Sequence, residues 1–298
     1  VKELGKFILY LAAVLVSGAL LAPLLWELGQ WVATTGEVRW LKKIRFPTYF
    51  NRGVLISALV FLYPFIRSLG LSSWRELGIR PNPHRTAHTL GGAAIGVVGL
   101  GAAAGCMLWL EQSQLRIPFK WSNVVLGLST AVAVALIEEI FFRGVLYGVM
   151  RRHLGWRRAL GLLSVVFAAL HFLKPHPSLK RFAEEVTWSS GFTVIPKLFW
   201  QFGEPALWVG GFFTLFMVGW ILGYVTEKTH SLWMAIGLHG GWVFALRVFT
   251  LNSRRSGDPT FWFGRDLITG AAPLLLLVVT LGVLVAAFRW SESRAPHE

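Results

Sequence analysis

Apolar residues dominate the chain in long runs, broken by short clusters of arginine, lysine, proline and tryptophan. A helix rising ~1.5 Å per residue needs roughly 20 apolar residues to cross a hydrocarbon layer of ~30 Å. On that criterion the pattern predicts about eight transmembrane helices, near 7–26, 53–69, 88–110, 122–150, 157–173, 206–226, 231–249 and 270–288. Lys2 and Lys6 precede the first run as they would in a signal peptide. That run is longer than the ~7–15 residues of a signal h-region and further runs follow, so it reads as the first span. The expected fold class is all-α, a polytopic integral membrane helix bundle forming a single transmembrane domain over 1–298.

Composition agrees with this reading. Hydrophobic residues make up 54% of the chain and charged residues 15%, and the mean hydropathy is +0.56, too apolar for an ordinary soluble domain. The formal charge of +14 comes from 29 Lys and Arg against 15 Asp and Glu, and the basic residues lie between the runs. Anionic lipid headgroups, rather than nucleic acid, are the expected partner. Many of the 15 tryptophans fall near run ends, where amphipathic rings prefer the membrane interface. Cys106 is the sole cysteine. It excludes an intrachain disulfide and a thiolate cluster, and within "GLGAAAGCM" it reads as a packing residue.

Three connections are longer than a turn: 27–52, basic and aromatic; 70–87, rich in proline; and 174–205, in which "VIPKLFWQF" reads as a short interfacial or re-entrant helix. Glycines spaced by four, Gly92/Gly96, Gly101/Gly105, Gly144/Gly148 and Gly219/Gly223, are expected to let helix backbones approach closely. The short turn "RRHLGWRR" favours a cytoplasmic location for its side of the membrane.

Against this apolar background a few ionisable residues stand inside the spans: Glu138, Glu139 and Arg143 on the fourth, His171 on the fifth and His239 on the seventh. A charge at mid-bilayer costs ~2.5–3.5 kcal/mol on the insertion scale, so such residues face the bundle interior and serve as functional candidates by default. Glu139 and Arg143 are four apart, on one helix face in the favourable acid-before-base order. Glu138 is rotated by about 100° from Glu139 and meets only Phe141 and Phe142 at the spacings of three and four. A carboxylate so placed suits general-base chemistry. The fourth and fifth spans form a hairpin around the arginine-rich turn, which sets Glu138 and His171 at similar depth, ~20 Å from one face. His239, about 13 Å from that face, comes within reach of a tilted helix. One buried pocket is therefore expected to hold all five residues. The pattern alone leaves hydrolysis and proton relay both open.

"EEIFFR" at 138–143, "FAALH" at 167–171 and "GLHGGWV" at 237–243 together resemble the motifs of the CAAX protease and bacteriocin-processing (CPBP, or Abi) family of intramembrane glutamic proteases. The resemblance covers 122–249, the expected catalytic core. It implies an endopeptidase that hydrolyses a peptide bond near the C-terminus or membrane-embedded end of a protein or peptide, in a bacterial cytoplasmic membrane by family distribution. Carried over, Glu138 would activate water, Glu139 and Arg143 would support it, His171 would bind water or stabilise charge, and His239 would donate to the oxyanion. Phe142, Phe167 and Trp242 would line the substrate side. No cofactor is implied. The chain departs from the pattern at Val243, where the family has Asn or Asp, and Trp242 is the substitute donor to consider. Three alternatives remain. A zinc enzyme would use two histidines and a glutamate, although the His-Glu-x-x-His spacing is absent and Arg143 opposes a cation. A non-catalytic scaffold or immunity-type binder is motivated by Val243, and a proton-coupled transporter by the Glu and His pair alone.

Overall fold

The computed structural model describes residues 2–36, 38–73, 75–79, 82–181, 186–264 and 266–294. Helices dominate: α1 (Lys2–Thr35), α2 (Phe46–Ser68), α3 (Arg85–Trp109), α4 (Trp121–Glu139), a π-helical segment (Ile140–Tyr147), α5 (Gly148–Phe172), α6 (Ser190–Val194), α7 (Pro205–Leu207), a π-helical turn (Trp208–Phe212), α8 (Phe213–Thr229), α9 (Trp233–Asn252) and α10 (Ala271–Ser293). Seven stretches among the described residues are long and apolar enough to cross a membrane. One of them, Trp121–Leu179, has 59 residues, about 88 Å if straight, nearly three times what a crossing requires. It breaks at Gly155, whose φ of 71° and ψ of 162° no helix contains and which glycine adopts without a Cβ penalty. The two halves correspond to the fourth and fifth expected spans. The protein is an all-α polytopic membrane bundle.

The chain divides into two compact units, Val1–Ser72 with His171–Glu204, and Ser73–Leu170 with Pro205–Glu298. The expected core 122–249 contributes to both. In the first unit, α1 and α2 pack tightly because Gly18 and Gly53 face one another's helices: a Cβ on Gly18 would stand 2.8 Å from Val54 Cα, and one on Gly53 would stand 2.6 Å from the Gly18 carbonyl. Ala19, Ala22, Phe46, Phe50, Leu179, Val194 and Leu198 form its buried core. The first helix runs nine residues beyond the expected span end at 26, and α2 begins at 46 rather than 53. The connection is thus shorter than the basic, aromatic composition of 27–52 implied. Pro47 in the first turn of α2 explains the early start, since its missing N–H lies where helices leave donors unpaired. "VIPKLFWQF" is helical but tight, mostly a 3₁₀ segment at Pro196–Gly203.

In the second unit α9 is central, packed by α3 on one side and α4 on another. The expected close approach at Gly92 and Gly96 is present. A Cβ on Gly96 would meet the Leu238 carbonyl at 2.5 Å, and reciprocal glycines on α9, Gly237 and Gly241, lie against the Thr89 and Ala93 carbonyls. Gly101 and Gly105 have nothing within 4 Å, so that spacing does not mark a helix contact. Cys106, beside them, is exposed rather than packed, because this stretch of α3 turns it away from α9. Two short strands, β1 (Ser113–Leu115) and β2 (Ser253–Arg255), pair antiparallel and join the ends of α3 and α9. At the same end Asn123 Nδ2 donates to Asn252 Oδ1 at 3.1 Å.

Candidate active site

Helix α4 delivers Glu138 and Glu139 as its last two residues, immediately before the π-helical segment that carries Arg143. A π turn holds an extra residue per turn and is found mostly as a local bulge at functional sites. Here it begins one residue after the glutamates. Arg143 Nη1 donates to Glu139 Oε1 at 2.9 Å, with both side chains fully buried, and Nη2 donates to the Gly219 carbonyl on α8 at 3.1 Å. That carbonyl is close because a Cβ on Gly219 would stand only 3.0 Å from Ser164 Cα on α5.

Helix α9 brings His239 to the same carboxylate. Its Nδ1 lies 2.7 Å from Glu139 Oε1, and its Nε2 lies 3.9 Å from Glu138 Oε2. Glu139 Oε1 thus receives both a guanidinium and an imidazole. A carboxylate oxygen accepts, so Nδ1 is the nitrogen that donates to Glu139, and Nε2 is the one nearer Glu138. The two glutamates differ in access: the Glu138 side chain is 26% exposed and that of Glu139 is 0%.

Aromatic rings complete the enclosure. The Arg143 guanidinium carbon sits 4.8 Å from the Phe167 ring centroid and 5.7 Å from that of Phe142, distances at which a ring face attracts a cation. Phe142 and Phe167 meet edge to face at 4.9 Å, and Phe167 lies 6.4 Å from His239. Both rings are buried against this cluster. Trp242, one turn beyond His239 on α9, is also buried. The structure therefore assembles Glu138, Glu139, Arg143, His239, Phe142 and Phe167, while His171 stands in the last turn of α5, one turn beyond Phe167, in the other compact unit. The Gly219 carbonyl is a partner that sequence reasoning missed. Its glycine was legible as a packing residue, but a backbone acceptor leaves no mark in side-chain chemistry.

Among the described residues, no group of three or more His, Cys, Asp or Glu is placed to hold a metal ion. The donors nearest to such a set, His239 Nδ1 and Glu139 Oε1, are engaged with each other and with Arg143.

Residues 120–245 match the family model described as type II CAAX prenyl endopeptidase Rce1-like. This segment is similar to that family. It takes in α4, the π-helical segment, α5, α8 and the first part of α9, and hence every residue of the cluster. The Rce1-like stretch nearly coincides with the 122–249 drawn from the three motifs. No curated protein and no solved structure matches the chain.

Proposed function

We propose that the protein is an intramembrane glutamic endopeptidase, of the CAAX protease type, in which Glu138 activates the attacking water. The observation that carries this reading is the inequality of the two glutamates around His239. Glu139 is sealed and held by Arg143 and His239, whereas the Glu138 side chain is 26% exposed, with only its Oε2, the oxygen nearest His239 Nε2, buried. A partly exposed carboxylate beside a held imidazole is the arrangement that general-base catalysis uses.

In this mechanism Glu138 takes a proton from water as the oxygen attacks the scissile carbonyl carbon, and negative charge develops on the carbonyl oxygen. His239, protonated, donates from Nδ1 to Glu139 and from Nε2 to that oxyanion. The intermediate collapses, the C–N bond breaks, and the proton on Glu138 passes to the departing amine. Glu139 and Arg143 work as positioning residues by fixing the orientation of the ring. Trp242 is the candidate substitute for the oxyanion donor that Val243 cannot supply. Phe142 and Phe167 hold Arg143 in place, with the substrate chain passing on the Glu138 side.

The substrate class is a membrane-associated protein or peptide cleaved near its C-terminus or membrane-embedded end, in a bacterial cytoplasmic membrane. No cofactor takes part, so a chelator is expected to leave turnover unchanged, and loss with rescue by zinc would move the reading to a metalloprotease. The principal test compares C-terminal peptides of the membrane proteome in cells expressing wild type or Glu138→Gln at matched levels. New termini confined to the wild type support proteolysis and reveal the substrate. Identical termini with both proteins abundant would favour the second reading, a non-catalytic binder, for which Val243 is the motivating residue.

A further inference from the structure

The second unit contains a cleft of about 740 Å³ that the proposed hydrolysis does not use. Its walls come from the connector before α3, from the π-helical segment and first turn of α5, and from the end of α8 with the turn into α9. The connector backbone lies directly on the π-helical segment because position 144 is glycine: a Cβ there would stand 2.5 Å from the Leu77 carbonyl. The cleft thus opens at the span ends, on the side of the arginine-rich turn.

Its charged lining is unbalanced. Arg143 being paired with Glu139, Arg75, Arg151 and Arg152 face Glu76 and Glu227, three positive charges against two negative. Both oxygens of Glu227 are taken, Oε1 by Arg151 Nη2 at 2.7 Å and Oε2 by the Tyr147 hydroxyl at 2.9 Å. Glu76 accepts from the Ser73 backbone N–H at 3.0 Å and from its hydroxyl at 3.2 Å. Arg143 also lines the cleft, its buried guanidinium held by Glu139 and the Gly219 carbonyl. A cleft at span ends with an excess of guanidinium suits an anion with several acceptor oxygens. Arginine pairs with phosphate through two parallel N–H donors, and basic pockets between transmembrane helices on the cytoplasmic side receive anionic headgroups.

We propose that this cleft binds a phosphate group, and that its occupant is the phosphodiester headgroup of an anionic lipid. Arg143 lines the cleft and also holds Glu139, so the bound phosphate lies beside the buried cluster. The proposal does not depend on the protease reading, and its test measures binding alone.

The full chain is purified, exchanged into micelles with phosphatidylglycerol or phosphatidylcholine, and weighed intact by native mass spectrometry. One retained phosphatidylglycerol per wild-type chain is expected, with affinity lower on the order of tenfold, about 1.4 kcal/mol, in the Arg75→Gln/Arg152→Gln double variant. Arg152→Gln alone, on an exposed side chain, gives a partial loss and keeps the test decisive should the double variant fail to fold. Equal retention of phosphatidylcholine, or retention unaffected by Arg152→Gln, overturns the site. An equal loss in Arg116→Gln/Arg254→Gln, at the opposite ends of the spans, would show diffuse attraction and also overturn it. Inorganic phosphate that binds alone and displaces the lipid would keep the phosphate chemistry but overturn the lipid assignment.

Discussion

Glu139 and Arg143 are buried together, and their value lies in the cost of separating them. Removing one member of a buried ion pair leaves an uncompensated charge, at about 3–5 kcal/mol. Arg143→Met is therefore expected to lower the thermal stability of the purified protein strongly, while Glu138→Gln, at an accessible position, leaves stability nearly unchanged and abolishes turnover. Equal thermal shifts for the two would contradict the division of roles between the adjacent carboxylates. Val243 calls for the opposite experiment. A missing oxyanion donor costs on the order of 10²–10³ in rate, so Val243→Asn is expected to raise turnover on the substrate identified from the C-terminal comparison. An unchanged rate would mean that another donor already occupies that place. The ion pair was legible in the sequence from i,i+4 spacing, and the approach of His239 from its depth only with a tilted helix, its ~13 Å falling short of the ~20 Å of Glu138. The phenylalanine cradle was legible only as motif positions, because ring geometry depends on how α4 and α5 are rotated.

At the scale of elements, the π-helical segment was invisible to pattern reasoning. Its eight residues, "IFFRGVLY", are as apolar as the helices they join, and one extra residue per turn shifts the hydrophobic phase too little to register over so short a length. Glycine spacing was partly informative. Four-residue spacings recur on α3, yet only Gly92 and Gly96 meet a neighbouring backbone, because a spacing states what a helix permits and not which face is occupied. Gly237→Ala would drive a Cβ into the Thr89 carbonyl and is expected to cost about 1–3 kcal/mol as overpacking. Gly101→Ala, with nothing within 4 Å, is expected to be neutral or to gain up to ~1 kcal/mol of helix propensity. Thermal unfolding of the two variants in the same detergent compares them directly. A destabilised Gly101→Ala would assign that face to a contact in the native membrane.

For the molecule as a whole, the number of crossings follows from which ends of the helices meet. The start of α4 bonds to the end of α9 through Asn123 and Asn252, and β1 pairs with β2 at that same end. Arg151, after the π-helical segment, bonds instead to Glu227 at the end of α8, and Lys228 beside it bonds to Glu292 near the end of α10. Since α8 and α9 are joined by a short turn, these two sets of contacts lie at opposite ends of the bundle. The chain therefore crosses once between 121 and 151, turns at Gly155, and crosses back, which makes eight passages out of the seven apolar stretches among the described residues. With Cys106 replaced by serine, single cysteines at Arg116 and Arg254 are expected to react with an impermeant maleimide from one side of sealed vesicles. Cysteines at Arg158 and Glu292 are expected to react only from the other, the cytoplasmic side by the arginine content of the turn. Reaction of positions 116 and 158 from the same side would remove a crossing and with it the hairpin that presents Glu138 and Phe167 to the same space.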